Sequence, residues 1–422
     1  MLDINLIRTD AEKVKKALLK RLDSVDLEPV LALDRRRREI IVEADALKMK
    51  KNAASAGVKK LDPAAQQAVF AEMKEISARV KALDAEAAKV EAELGALMAG
   101  LPNLPADDVV AGGKEHNAVV REWGKLPEFG FEPKAHLELS KELGLIDYDR
   151  GAKLGGTGFW VYRNMGARLE WALLNFFVDT HLQSGYSFTL PPHILNYECG
   201  YTAGQFPKFK DDVFLLAGPE DKTQFLLPTA ETALISLHRD EILKEEELPK
   251  KYFAYTPCYR KEAGGYGANE RGMIRGHQFN KVELIQFARP EESAAAFDEM
   301  VGHVESVMRA LGLHYRLVKL AAKDCSASMA RTYDIEVWIP SMKGYKEVSS
   351  VSNAHDYQAR RGNMRFKRAV TGKNEFLHTL NGSCLATSRL FPAILEQFQQ
   401  ADGSVLVPEP LRKYLGTDRI TI

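Results

Sequence analysis

The chain has 422 residues, 45% of them hydrophobic and 27% charged, which is the composition of a soluble globular protein too long for a single core and predicts two or three domains. Its 58 Lys and Arg balance 58 Asp and Glu, so nothing in the overall charge marks a nucleic-acid binder, and any anion-binding surface must be local. The amino terminus lacks a secretory apolar segment and no apolar run spans a bilayer, so a cytoplasmic protein without a membrane partner is expected.

Residues 1–26 read as a short helix-bearing segment with Leu2, Ile4, Leu6 and Ile7 available to dock it. From about Leu27 to Gly100 the composition turns to Ala, Glu, Lys, Arg and Leu. Val69, Met73, Ile76, Val80, Leu83, Ala87, Val90, Leu94 and Leu97 recur at alternating spacings of four and three, a coiled-coil seam. Leu33, Ile40, Ala44 and Leu47 offer a matching seam, and AASAGVKKLDP between them carries the Gly and Pro of a reversal. An antiparallel helical hairpin roughly 50 Å long follows, at about 1.5 Å per residue. Lys48, Lys50, Lys51, Lys59 and Lys60 gather near its tip against Asp62. Such a tip attracts phosphates, or it is lysine-rich only for solubility.

Leu101 to Pro133 carries LPNLP, the Gly112-Gly113 pair and short extended pieces, the signature of a connecting segment. Helical patterns follow at His136 to Leu143 and at Gly166 to His181, the second apolar on most of its surface and therefore buried. An extended run, Tyr186 to Leu190, stops at Pro191-Pro192, because proline cannot donate to a sheet ladder. In FLLPTAETALISL an apolar strand runs into a helix, with Thr229 suited to cap it and Glu231 to complement its dipole.

The stretch Thr256 to Phe287 reads as two extended runs joined by a glycine-rich loop holding Gly264, Gly265, Gly267, Gly272 and Gly276. Period-two alternation sets Arg260 with Glu262 on one face of the first run and Phe279 with Glu283 on one face of the second. A guanidinium suits phosphate oxygens, an aromatic ring stacks on a flat base, and a carboxylate accepts from a hydroxyl or an amine. A solvated hairpin with ordinary surface charges fits the spacing equally well.

Glu292 to Leu311 reads as an amphipathic helix, and Tyr315 to Leu320, Asp334 to Ile339 and Tyr345 to Ser352 as further strands. Glu347 and Ser350 offer oxygen ligands suited to magnesium, yet strict alternation separates them onto opposite faces unless a bulge intervenes. Arg360, Arg361, Arg365, Lys367 and Arg368 form a basic run that faces the end of an RNA or merely lines the surface. Finally HTLNGSCLATSRLFPAILEQFQQ passes from strand to helix, with Ser383 at the strand end, Arg389 on the helix and Pro392 inside it. Cys199, Cys258, Cys325 and Cys384 lie far apart without a CxxC pair, so reduced, mostly buried thiols are expected rather than a zinc site or disulfides.

Arg260-Lys261-Glu262, the loop and Arg275, His277, Gln278 and Phe279 together resemble the second signature motif of class II aminoacyl-tRNA synthetases, in the form of the seryl-tRNA synthetase family. Gly166 to Pro192 and His378 to Gln397 resemble the first and third motifs, and the likeness covers nearly the whole chain. It implies an α+β fold with a tRNA-binding coiled-coil domain over 1–110, a linker over 111–133, and a catalytic domain over 134–422 built on an antiparallel sheet flanked by helices. It also implies activation of L-serine by ATP with Mg2+, transfer of serine to tRNA(Ser) and tRNA(Sec), and a homodimer through Gly166 to Pro192. Arg260 and Arg389 are then the catalytic residues, and Thr229, Ala230, Glu231, Glu283 and Ser383 the serine site. Arg260, Lys261, Glu262, Gly276, Phe279, Glu347, Val348, Ser349, Ser350 and Arg389 take ATP, Glu347 and Ser350 the metal, and the tip lysines Lys48, Lys50, Lys51, Lys59 and Lys60 the tRNA. Lys261, Cys384 and Ser388 depart from the usual family residues, and the effect of those departures stays open. Two rivals remain: a paralogue that loads serine onto a carrier protein or small molecule, and a non-catalytic RNA-binding relative.

Overall fold

The computed structural model describes residues 1–58, 62–218, 223–262 and 272–421, so Lys59, Lys60 and Gly264, Gly265 and Gly267 lie outside the described residues. The chain divides into two compact units, Met1–Pro102 and Asn103–Ile422.

In the first unit, two short helices, Ile4–Thr9 and Ala11–Leu18, precede two long ones, Glu28–Gly57 and Pro63–Gly100. Asp62 starts the last helix by accepting from the Ala64 and Ala65 amides at 3.0 and 2.9 Å, and Pro63 at the first turn needs no partner for an N–H it lacks. The long pair buries Ile40, Ala44, Leu83 and Val90 against Leu33, Leu47 and Ala87, which is the expected seam. Near its end the seam departs from the heptad reading. Met98 is buried while Leu97 is 41% exposed, because the step from Leu94 is four residues rather than three.

The second unit is organised on an eight-stranded sheet. Its strands are β1 (Ala118–Trp123), β2 (Ser187–Phe188), β3 (Lys250–Tyr259), β4 (Gln278–Ala288), β5 (Tyr315–Lys319), β6 (Arg331–Ile339), β7 (Gly344–His355) and β8 (His378–Ala386). They lie in the order β1-β5-β6-β7-β8-β4-β3-β2, antiparallel except for β2 against β3. The segment read as a connector therefore supplies an edge strand. The unit begins at Asn103, whose buried amide donates to Ser328 O and Ala354 O at 2.9 and 2.8 Å. Helices Asn164–Gln183, Ser293–Ala310 and Thr387–Gln397 contribute to the main core with Phe177, Phe297 and Phe391, packed together with Tyr315. Helix Thr387–Gln397 runs through Pro392. Gly166 lets helix Asn164–Gln183 approach Leu145 closely: a Cβ there would lie 2.2 Å from Leu145 O. Among the described residues, no helix is long and apolar enough to cross a membrane.

Candidate active site

Strands β8, β4 and β3 form the floor of the site. Two adjoining cavities of about 560 and 90 Å³ open over it, and Arg260, Glu262, Lys281, Glu347 and Ser383 line both. The larger also takes in Thr229, Glu231, Glu283 and Asn381, and the smaller Gly276, Phe279, Val348 and Arg389. The space thus has one end rich in small polar groups and another carrying arginines and an aromatic ring.

At the first end Thr229 caps helix Ala230–Leu234, accepting from the Glu231 amide at 3.2 Å and donating to Glu283 Oε2 at 3.2 Å. Ser383, opposite Glu283 in the β8–β4 register, donates to the same Oε2 at 3.2 Å. Lys281 pairs with that oxygen too and donates to Ser383 Oγ at 3.2 Å. Glu231 Oε1 accepts from Gln358 Nε2 at 2.8 Å and Asn381 Nδ2 at 3.3 Å. Burial, reinforced by the neighbouring Glu283 carboxylate, pushes the Glu231 carboxyl up to about 7. Two carboxylates, hydroxyls and an ammonium in one recess can hold a small zwitterion that bears its own hydroxyl.

At the second end the Arg260 guanidinium lies 5.2 Å from the Phe279 ring centroid, its Nε donating to Pro228 O at 3.2 Å. Arg275 Nε donates to Glu262 Oε2 at 2.7 Å, and Glu262 has a left-handed backbone conformation (φ 49°) that few non-glycine residues adopt. Gly276 cannot be enlarged without a shift, since a Cβ would lie 2.2 Å from the Trp160 ring and 2.9 Å from Gly158 O. Arg389 is braced by Ile274 O at 3.1 Å and Glu347 O at 2.8 Å.

The bulge that would bring Glu347 and Ser350 to one face is present. Ile335 pairs with Ser349 and Glu336 with Glu347, so Val348 is the extra residue and the alternation resets. Ser350 Oγ consequently lies 3.2 Å from Glu347 Oε1 and donates to Asp334 Oδ1 at 2.7 Å. This hard-oxygen set fits magnesium. Burial and the Glu347 carboxylate raise the Asp334 carboxyl above its ordinary range.

Of the residues expected from sequence, Arg260, Glu262, Thr229, Glu231, Glu283, Ser383, Gly276, Phe279, Glu347, Val348, Ser350 and Arg389 line this space. Ala230, Lys261 and Ser349 line neither cavity; Ser349 is buried with its hydroxyl on Ser383 O. Sequence reasoning missed Lys281, Asp334, Gln358 and Asn381. For Lys281 the signal existed, because it lies between Phe279 and Glu283 on the same face of β4. The basic run is largely committed to protein. Arg361 donates to Tyr201 O and Phe206 O, Arg368 pairs with Glu245, Glu291 and Glu375, and Arg360 with Asp356. His181, His303 and Cys384 gather within 4.8 Å, but the two His181 ring nitrogens already bond His303 Nε2 at 2.9 Å and Cys384 O at 2.7 Å. All four cysteines are free thiols. On the long helices Lys48 pairs with Asp84 at 3.5 Å and Lys50 with Glu72 at 2.6 Å.

An antiparallel sheet with this arginine and carboxylate floor is the arrangement of class II aminoacyl-tRNA synthetases, and residues 214–398 match the family model "tRNA synthetase class II core domain (G, H, P, S and T)". Residues 1–105 match the "Seryl-tRNA synthetase N-terminal domain". The chain is 60% identical to Serine--tRNA ligase 2 of Clostridium acetobutylicum over the full length of both. The crystal structure of seryl-tRNA synthetase from Pyrococcus horikoshii complexed with ATP superposes with a TM-score of 0.92 at 33% identity, covering 100% of this chain and 99% of that one. The cytoplasmic serine-tRNA ligase of Naegleria fowleri in complex with AMP gives 0.88 at 27% identity, with coverage of 100% and 99%. The chain belongs to the seryl-tRNA synthetase family.

Proposed function

We infer that the chain joins L-serine to ATP, releasing pyrophosphate, and then passes the seryl group to a terminal ribose hydroxyl of tRNA(Ser), with tRNA(Sec) as a further acceptor. The observation that carries this reading is the continuity of the two cavities. A recess for a small hydroxylated zwitterion opens directly onto Arg260, and the smaller cavity adds Phe279 and Arg389.

In the first step a serine carboxylate oxygen attacks the α-phosphorus while the bond to the bridging oxygen of pyrophosphate breaks. Both reactants are anionic, so catalysis needs charge neutralisation rather than a covalent nucleophile. Arg260, held by Pro228 O and the Phe279 face, is aimed at the α-phosphate. Arg389, braced on Ile274 O and Glu347 O, binds the γ-phosphate of a bent nucleotide. Phe279 stacks on adenine, and Glu262, fixed by Arg275, accepts from it. Glu231 and Thr229 hold the serine ammonium, and Glu283 and Ser383 the hydroxyl. Glu347 and Ser350 would hold a magnesium ion, which supplies charge neutralisation on the phosphate oxygens.

A homodimer through Gly166 to Pro192 is supported by apolar side chains left exposed there, Trp171 at 55% and Leu190 at 70% among them. The long helix pair with Lys48, Lys50, Lys51, Lys59 and Lys60 near its reversal suits a sequence-tolerant grip on tRNA. That pair counts against the reading in which serine is loaded onto a carrier, and the two phosphate arginines count against a non-catalytic relative. Serine-dependent exchange of labelled pyrophosphate into ATP, followed by acylation of bulk tRNA, tests all three. Exchange without tRNA acylation would favour the carrier, and no exchange the non-catalytic relative.

A further inference from the structure

Among the described residues, Lys281 carries the only ammonium lining the two cavities, and the reaction steps above leave it without a role. It is 6% exposed, pairs with Glu283 Oε2 and donates to Ser383 Oγ at 3.2 Å. Taking an ammonium out of water is unfavourable unless its N–H groups are matched. An ammonium has three N–H donors. Among the described residues, Glu283 and Ser383 take two, and the third has no protein acceptor beside the cavity.

The substrate hydroxyl has complementary needs: one proton to donate and two lone pairs to fill. Glu283 accepts and cannot donate. Ser383 Oγ already donates to Glu283 Oε2. A carboxylate and a serine so disposed leave the substrate oxygen short of a donor.

We propose that Lys281 is a specificity-determining residue, the hydrogen-bond donor to the side-chain oxygen of a small hydroxylated amino acid. The inference rests on the serine-activating reading and deepens it. Glu283 takes the substrate proton, Lys281 fills a lone pair, and Ser383 fixes the separation of the two. Alanine would press a methyl group against the ion pair with nothing to bond it. Cysteine would offer a thiol, a weak partner on both counts. A site built to bond a hydroxyl rejects the analogue lacking it by large factors, because its own polar groups are then left unmatched.

Lys281 also lines the smaller cavity, so contact with phosphate is the competing role. Lys281→Met, unbranched and uncharged, separates the two in the full-length protein. Pyrophosphate exchange is measured with serine and with alanine, and ATP binding by calorimetry. The expected result is a fall of about a hundredfold in kcat/KM for serine, less than about threefold for alanine, and an ATP Kd within about twofold. An equal fall for both amino acids, or an ATP Kd raised tenfold or more, overturns the proposal. Should Lys281→Met melt before assay temperature, Lys281→Arg takes its place. The wider guanidinium fills the hydroxyl position, so the serine-to-alanine ratio is expected to fall more than about tenfold, and an unchanged ratio overturns the proposal. Wild-type protein that exchanges with no serine at all would sink the activation reading first. Wild-type exchange with unaltered ratios in the variants would sink the Lys281 inference alone.

Discussion

Glu231 enters the site from the first turn of a short helix, and its carboxyl, raised to about 7 by burial and by Glu283, changes charge in the physiological range. The raised value means the folded, ligand-free protein binds this proton more tightly than the unfolded chain does. Stability from this group is therefore present below about pH 4.5 and is lost as pH rises through about 7. A substrate ammonium reverses the balance, since it favours the carboxylate. Serine affinity is expected to weaken about tenfold from pH 8 to pH 6, and Glu231→Gln to remove the dependence. Titration calorimetry with serine alone would show it, and a flat profile in the wild type would exclude Glu231 from the ammonium site. In the proposed reading Glu283 serves the other end of the same substrate. Glu283→Ala leaves Thr229, Ser383 and Lys281 without their shared acceptor, so KM for serine should rise by about tenfold to a thousandfold while KM for ATP changes little. Equal effects on both substrates in exchange kinetics would count against a serine-specific role.

At the scale of elements, Asp34 ties the first helix to the third. Its carboxylate is buried and accepts from Arg8 at 2.8 Å, Arg37 at 3.2 Å and Arg38 at 3.1 Å. Burial opposes the charge, but the Arg8 and Arg37 hydrogen bonds outweigh it and hold the carboxyl below its ordinary range. That contribution is present above the usual aspartate range and is lost as pH falls through the lowered value. Asp34→Asn should destabilise the first unit by about 2 kcal/mol, between the limits for exposed and buried pairs. Hydrogen exchange over residues 1–102 would report it, and unchanged protection would mean the arginines are held otherwise. The same elements show what the sequence makes legible. Heptad spacing located the long helix pair, and alternation located the Phe279 and Glu283 face. Periodicity does not count the extra residue at Val348, because a bulge follows from the pairing of two distant strands, β6 and β7. Motif resemblance named Glu347 and Ser350, and only the register explains how they meet. Gln358 and Asn381 escaped notice for a related reason: each matters through Glu231, more than about 100 residues away in the chain.

The proposed function assigns two tasks to the two compact units, 1–102 and 103–422. Every residue assigned to serine and ATP lies in the second, and every lysine assigned to tRNA in the first. Amino-acid activation should therefore be insensitive to changes in the helical unit, whereas acylation should not. Lys51, Lys59 and Lys60 serve as probes, and Lys48 and Lys50, which pair with Asp84 and Glu72, are left in place. Replacing all three with alanine removes three positive charges. Each lysine that neutralises a phosphate releases counterions, so its removal weakens binding across tRNA sequences and lowers the salt dependence. The triple variant is expected to exchange pyrophosphate within about twofold of the wild type and to bind tRNA at least about tenfold more weakly. Its slope of log affinity against log salt should be shallower by about 0.7 to 0.9 for each phosphate no longer neutralised. Unchanged affinity and slope would mean that the lysines serve solubility only, and that the grip on tRNA lies elsewhere on the helices.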